Sequence, residues 1–224
     1  MPRIHFHQQL ADLKDRLLAM AALAQQAVEA AVDAYVNSDL ELCQYVRENE
    51  TAINLAQREV DEMAYDLLAK EQPMAVDLRF ILAVIKINAD LERIGDQAVG
   101  IASRTSELLA ENRPKLPADI PRMGALAGKM IRTAILALLD GDAQIAESVI
   151  AMDDEIDDLN RDSQAALVQC IQKSPESAAH ALLAIMISRS LERISDHATN
   201  IATDVIFWVR GADLRHQLSL AEAE

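Results

Sequence analysis

The 224-residue chain has little of what builds disulfide frameworks, long loops or aromatic cores. Its two cysteines, Cys43 and Cys170, stand far apart and show no metal-binding spacing. That excludes a disulfide framework and fits a reducing compartment. Six glycines and six prolines leave little chain for loops. Only seven residues are aromatic, so a core must be built from Ala, Leu, Ile, Val and Met. Positive charge is scarce as well: 21 Lys and Arg face 36 Asp and Glu, for a net charge of −15. An acidic surface repels phosphate backbones and anionic lipid heads, which argues against binding nucleic acid or a membrane surface. It suits metal cations or basic partner surfaces. No apolar run reaches the roughly 18 residues that a spanning helix needs. The N-terminus, Met1-Pro2-Arg3-Ile4-His5-Phe6, carries no apolar signal region. The expectation is a cytoplasmic protein without direct membrane insertion.

What is abundant is aliphatic. Hydrophobic residues make up 51% of the chain, ample for a core of closely packed helices, so the composition points to an all-α fold. The chain also repeats itself. Leu91-Glu92-Arg93-Ile94-Gly95-Asp96 returns one hundred residues later as Leu191-Glu192-Arg193-Ile194-Ser195-Asp196, and Ala98, Ile101 and Ala102 return as Ala198, Ile201 and Ala202. A repeat of this length implies a duplicated unit. Both copies lie on a helical stripe: Phe80, Val84, Ile87, Leu91, Ile94, Ala98 and Ile101 in the first, and His180, Ala184, Ile187, Leu191, Ile194, Ala198, Ile201, Val205 and Trp208 in the second. This alternation of three and four residues marks a helix packed lengthwise against others.

Taken in order, a first helix spans about Arg3 to Val36 and stops at Asn37-Ser38-Asp39, where Ser38 or Asp39 can cap the next helix. The second carries Leu42, Val46, Asn49, Ile53, Ala56, Val60, Met63 and Leu67, with Asn49 as a register-setting or half-buried position, and ends near Gln72-Pro73. The third holds the first copy of the hexapeptide. Asn112 to Pro117, with Pro121 behind it, reads as a linker. The pattern then restarts. Asp140-Gly141-Asp142 matches Asn37-Ser38-Asp39, and Ile145, Val149, Met152, Ile156, Leu159, Ser163, Ala166 and Cys170 match the second-helix stripe. A connection at Lys173-Ser174-Pro175 leads to the last helix, which ends at Gly211. The predicted architecture is a tandem duplication of an antiparallel three-helix bundle with six long helices. Residues 1–112 form the first repeat, 113–121 the linker, 122–211 the second repeat and 212–224 a polar tail.

The candidate chemistry lies in the carboxylates beside the stripes. At 100° per residue, Glu92 and Asp96 fall about 40° apart on the side away from the core, and Glu192 and Asp196 do the same. The second helix of each half supplies a matching pair: Glu50 and Asn54 in the first, Asp153 and Asp157 in the second. If helices two and three are neighbours, four oxygen-bearing side chains meet at one shallow site per half. Oxygen-only coordination favours Mg, Mn, Ca or Fe, and Zn stays among the candidates. Against this stands the commonest role of helix carboxylates, a solvated face. Arg93, three residues from Asp96, and Arg189, three from Glu192, are placed to form local ion pairs.

The histidines argue mainly by what precedes them. Di-iron carboxylate enzymes on four-helix bundles use Glu-x-x-His. The residues three before His5, His7, His180, His197 and His216 are Pro2, Ile4, Ser177, Ile194 and Asp213. His180 reads as packed and His197 as a surface residue, with a phosphotransfer role for His197 as the outlying alternative. No glycine-rich phosphate loop or nucleophile pattern is present, so no catalytic residue is assigned. The competing readings are a structural helical scaffold without metal and a carboxylate-metal enzyme.

These residues resemble the PhoU family of bacterial regulators of phosphate uptake and phosphate-starvation signalling. The resemblance covers nearly the whole chain. It is carried by the two hexapeptides, by His197-Ala198-Thr199-Asn200-Ile201 after the second, by Gln72-Pro73-Met74-Ala75-Val76-Asp77-Leu78-Arg79 and by Val209-Arg210-Gly211-Ala212-Asp213-Leu214-Arg215-His216. It implies two three-helix bundles whose acidic motifs can hold metal, in a cytoplasmic, non-enzymatic protein that is often a homodimer. The implied partners are a phosphate transporter ATPase subunit and a phosphate sensor histidine kinase, with the protein as a negative regulator in phosphate homeostasis. Carried over by position, the motif residues are Glu50, Glu92, Asp96, Asp153, Asp157, Glu192 and Asp196. Asn54 in place of an acid, and Gly100 where the other half has Asn200, are departures that weaken the first site relative to the second.

Overall fold

The structure, a computed structural model, describes residues 2–110 and 116–211. Most of the predicted linker's start, residues 113–115, and the predicted tail, residues 212–224, lie outside the described residues. Three helices form the first half: α1 (Pro2–Asn37), α2 (Leu40–Glu71) and α3 (Val76–Ala110). The second half has α4 (Ile120–Asp140), α5 (Ala143–Ile150), α6 (Asp153–Lys173), a 3-10 turn (Pro175–Ser177) and α7 (Ala178–Arg210). Six of these helices are long, and no strand occurs among the described residues, as the sequence predicts.

The predicted boundaries have visible causes. Asp39 caps α2 by accepting from the amides of Glu41 and Leu42. Its counterpart Asp142 caps α5 by accepting from Gln144 and Ile145. Gly141 and Gly211 close α4 and α7 in the left-handed conformation, at φ 61° and 74°, which costs glycine no Cβ clash. Asn49 is half-buried and donates its amide to the Tyr45 carbonyl of its own helix. It therefore sets no register across helices.

Two readings need correction. Pro121 belongs to the first turn of α4, not to the linker: Asp119 is the cap, and proline at the helix start loses no hydrogen bond. The helix expected from Asp142 to Cys170 is also interrupted. Ala151 still donates to Glu147, but Met152 donates to Val149, a tighter turn, and a new helix starts at Asp153. Three acids, Asp153, Asp154 and Glu155, occupy the first turn of α6. Free amide hydrogens at a helix start favour negative charge there. The equivalent stretch of α2 runs unbroken through Glu50.

Packing repeats as well. In the first half α1 packs on α2 and α3, and α2 on α3. In the second, α4 packs on α5, α6 and α7, and both pieces of the broken helix pack on α7. Leu91 and Leu191 are fully buried at matching places. The halves are joined along α3 and α7, with α1 against α4 beside them. One hydrophobic core runs through both, from Phe6 and Leu10 to Val205 and Ile206. A small satellite cluster of Leu167, Ala181 and Ala184 lies apart from it. Helix α1 is long and apolar enough to cross a membrane by length and composition, yet its stripe of Leu13, Leu17, Met20 and Ala24 is fully buried in this core.

Candidate functional site

The stripe of α3 turns Leu91 and Ile94 inward, which leaves Glu92 and Asp96 on its flank, both half-buried. The stripe of α7 does the same for Glu192, half-buried, and Asp196, exposed. Because α2 packs on α3 and α6 on α7, Glu50 and Asn54 stand beside the first pair, and Asp153 and Asp157 beside the second.

The electrostatics show the second group to be the more crowded. Burial pushes the Asp153 carboxyl above its ordinary value, and the charges of Asp157 and Asp196 push it further. Glu192 is raised by burial and then by Asp157, with Arg189 and Arg193 opposing. Asp196, exposed but lined by neighbouring protein, is raised by partial loss of water, then by Glu192 and Asp157. All four acids of that half therefore act on one another. In the first half Glu92 is raised by burial and by Asp96, is lowered by Arg93, and also feels Glu50. Crowded carboxylates that resist ionisation mark a place where a cation is favourable.

The donor set fits a hard or borderline cation in residue type. The side chains do not converge on a shared point: among the described residues, no three Asp, Glu, His or Cys groups are gathered to hold one ion. Like charges that share a surface turn their side chains apart. Asp153 instead accepts from the Thr199 hydroxyl at 3.2 Å. Arg93 lies 3.8 Å from Glu92 rather than reaching Asp96.

Sequence reasoning misplaced two residues and missed a cluster. His197 is half-buried and partnered rather than free on the surface. Its Nδ1 lies 2.8 Å from Asp90 Oδ1, across the contact between α3 and α7. Asn200 donates its amide to the same oxygen at 3.4 Å, so this amide serves the helix contact and not Asp196. One turn away, Lys86 Nζ lies 3.3 Å from the buried carboxylate of Asp204. These five residues form a polar seam between the halves. The available signal was their departure from the repeat: Asp90, His197 and Lys86 have Ser190, Gln97 and Met186 as their counterparts.

With the fold and the acids placed, likeness to known proteins becomes informative. The PhoU domain pattern matches twice, over residues 17–105 and 120–205. A phosphate-specific transport system accessory protein PhoU homolog of Pseudomonas aeruginosa is 39% identical, over 94% of this chain and 88% of its own length. A protein of the same description from Pseudomonas putida is 40% identical, over 94% of this chain and 83% of its own. The crystal structure of PhoU from P. aeruginosa covers 92% of this chain and 100% of its own, with a TM-score of 0.89 at 38% identity. That of the phosphate transport system regulatory protein PhoU from Streptococcus pneumoniae covers 93% and 98%, with a TM-score of 0.85 at 26% identity. Two matched domains, a whole-chain likeness and a duplicated helical fold agree, and the chain belongs to the PhoU family.

Proposed function

We propose that this protein is a cytoplasmic regulatory adaptor of phosphate uptake and phosphate-starvation signalling. It works by binding other proteins rather than by catalysis. The observation that carries the reading is the recurrence, in both halves, of acids that apolar packing does not require, on a chain whose relatives are named as accessory proteins of phosphate transport. The partners we propose are the ATPase subunit of a phosphate transporter and a phosphate sensor histidine kinase, met by a homodimer. Exposed acids on a chain of net charge −15 favour basic partner surfaces. Such association weakens as salt rises.

Divalent or iron-type ions belong to the same proposal. Glu50, Asn54, Glu92 and Asp96 would hold one site, and Asp153, Asp157, Glu192 and Asp196 the other. A bound cation would neutralise crowded acids and tie α2 to α3, or α6 to α7. Deleting the gene and measuring alkaline phosphatase in phosphate-rich medium tests the regulatory reading. Constitutive expression is the expected result, and unchanged repression would sink it.

A further inference from the structure

Where α2 turns into α3, at one end of the first half, a cleft of about 570 Å³ opens. Phe6 and His7 of α1, Glu71 of α2, Asp77 of α3 and the Pro73-Met74 turn line it. Met74 is 79% exposed, and Ile4, at the same end of α1, is 76% exposed. Among the described residues these are the two most exposed large apolar side chains, and Val76 beside Met74's turn is exposed as well. Apolar side chains gathered this bare mark a surface without its cover. At the matching end of the second half a cover is present. Leu116 and Ala118, from chain outside the bundle, pack there against Leu167, Ala181 and Ala184. The carboxylates of the cleft, Glu71 and Asp77, make no ion pair among the described residues.

We propose that this cleft is the docking site of the chain's own C-terminal segment, with Leu214 and Leu218 on Phe6, Pro73 and Met74 and with Arg215 against Glu71 and Asp77. Three observations carry it. The first is where the chain leaves α7. A Cβ on Gly211 would lie 3.3 Å from Arg79 Cζ, and Arg79 stands in the first turn of α3. The segment therefore starts at the same end of the molecule as the cleft. Asp77 lies about 200° round α3 from Arg79, and a helix with its side chains is about 10–12 Å across. Extended chain spans about 10 Å from Gly211 to Leu214 and about 23 Å to Leu218, enough to cross the end of α3. The second is the order of charges. Arg79 donates from Nε to the Trp208 carbonyl and makes no ion pair among the described residues; Asp77 comes next towards the cleft. The segment carries Asp213 and then Arg215, opposite charges in the order in which it meets them. The third is composition. Leu214 and Leu218 flank Arg215 and His216, while the acids Glu222 and Glu224 fall beyond them. A tether this short holds the segment at a local concentration in the millimolar range, which favours it over a second copy of the chain. The inference does not rest on the regulatory reading.

The test uses the full chain labelled with carbon-13 at its methionine methyl groups, the Met74 signal being assigned with Met74→Leu. In native protein the Met74 methyl should show nuclear Overhauser contacts to leucine methyls. These should vanish in Leu214→Ser/Leu218→Ser, which lies outside the bundle and should keep the native circular dichroism, and the Met74 signal should move to its undocked position. Leu214→Ser alone should lower the ratio of docked to free segment about tenfold. Arg215→Glu should lower it about threefold, and Glu71→Arg added to Arg215→Glu should restore most of that loss. Tenfold dilution should leave the native Met74 signal unchanged, because the contact lies within one chain. Met74 signals that are identical in native and double-serine proteins overturn the proposal. So does a native signal that moves to the double-serine position on dilution, which assigns the contact to a second copy.

Discussion

The two halves share a helix plan and differ where charge is placed. In the first, α2 runs unbroken past Glu50 and Asn54, and one carboxyl, Glu92, is clearly raised. In the second, the equivalent helix breaks at Ala151-Met152, and three carboxyls are raised: Asp153, Glu192 and Asp196. The apolar stripes match position for position and the acids of α3 and α7 recur, but Asn54 stands where the second half has Asp157, and the seam residues differ. Duplication preserved what packing demands and let the flanks diverge. The lesson is that the stripe reports the fold, whereas the departures from the repeat report what each half does.

The largest effect should be the one the halves share. Leu91→Ala and Leu191→Ala each remove a fully buried side chain and should cost about 2–5 kcal/mol. Chemical denaturation of both variants checks this. A loss in one half alone would mean that the two positions are not equivalent within the shared core. A smaller effect should separate them. A Cβ on Gly95 would lie 2.9 Å from Ile53 Cδ1, whereas its counterpart Ser195 is buried and bonds the Glu192 carbonyl. Gly95→Ser should therefore destabilise by about 1 kcal/mol or more through overpacking. A melt equal to the native one would show that Ile53 yields freely.

Much of the fold could be read directly because a 3-4 stripe and its repeat test each other. Asp39 and Asp142, Gly141 and Gly211 were legible for the same reason: caps need particular residue types at particular places. The break before Asp153 was not, since Ala151 and Met152 both suit a helix and only the acids after them hint at a new start. Nor was the seam. Lys86–Asp204 and Asp90–His197 join residues more than one hundred positions apart, and no local pattern encodes such a meeting. The acids themselves were visible. What they hold was not, because their side chains stand apart.

The proposed metal sites should sharpen the comparison next. Asn54 is neutral where Asp157 is charged, and ligand charge tunes affinity for hard cations. Asn200, which stands where the first half has Gly100, turns its amide nitrogen to Asp90, so the ranking rests on Asn54 against Asp157. We expect Mn(II) added to chelator-treated protein to bind the second half about tenfold more tightly. The Asp157→Asn/Asp196→Asn variant should remove the tighter event in calorimetry, and Asp96→Asn the weaker. The reverse assignment would overturn the ranking. No event at all would leave the acids as a solvated face.

The smallest expected effect concerns the same acids without metal. A carboxyl raised in the folded state binds its proton more readily there than in the unfolded chain. Its contribution to stability is complete below the unfolded value, ordinarily 3.8 for Asp196, and is lost as pH rises through the raised folded value. At pH 7 these groups therefore repel one another and weaken the fold. Neutralising one should help, and more so where three are raised than where one is. In chelator-treated protein, Asp196→Asn should stabilise at pH 7 by a few tenths of a kcal/mol, because solvent screens an exposed group. Asp96→Asn, which relieves only Glu92, should gain less. Both gains should vanish below the ordinary carboxylate values, where every partner is protonated in both states. Thermal melts across this pH range measure the difference directly. If Asp96→Asn proves the more stabilising, the crowding lies in the first half, and the asymmetry inferred from the electrostatics is inverted. If Asp196→Asn destabilises at pH 7, its carboxylate is held by a favourable contact that outweighs the repulsion of Glu192 and Asp157.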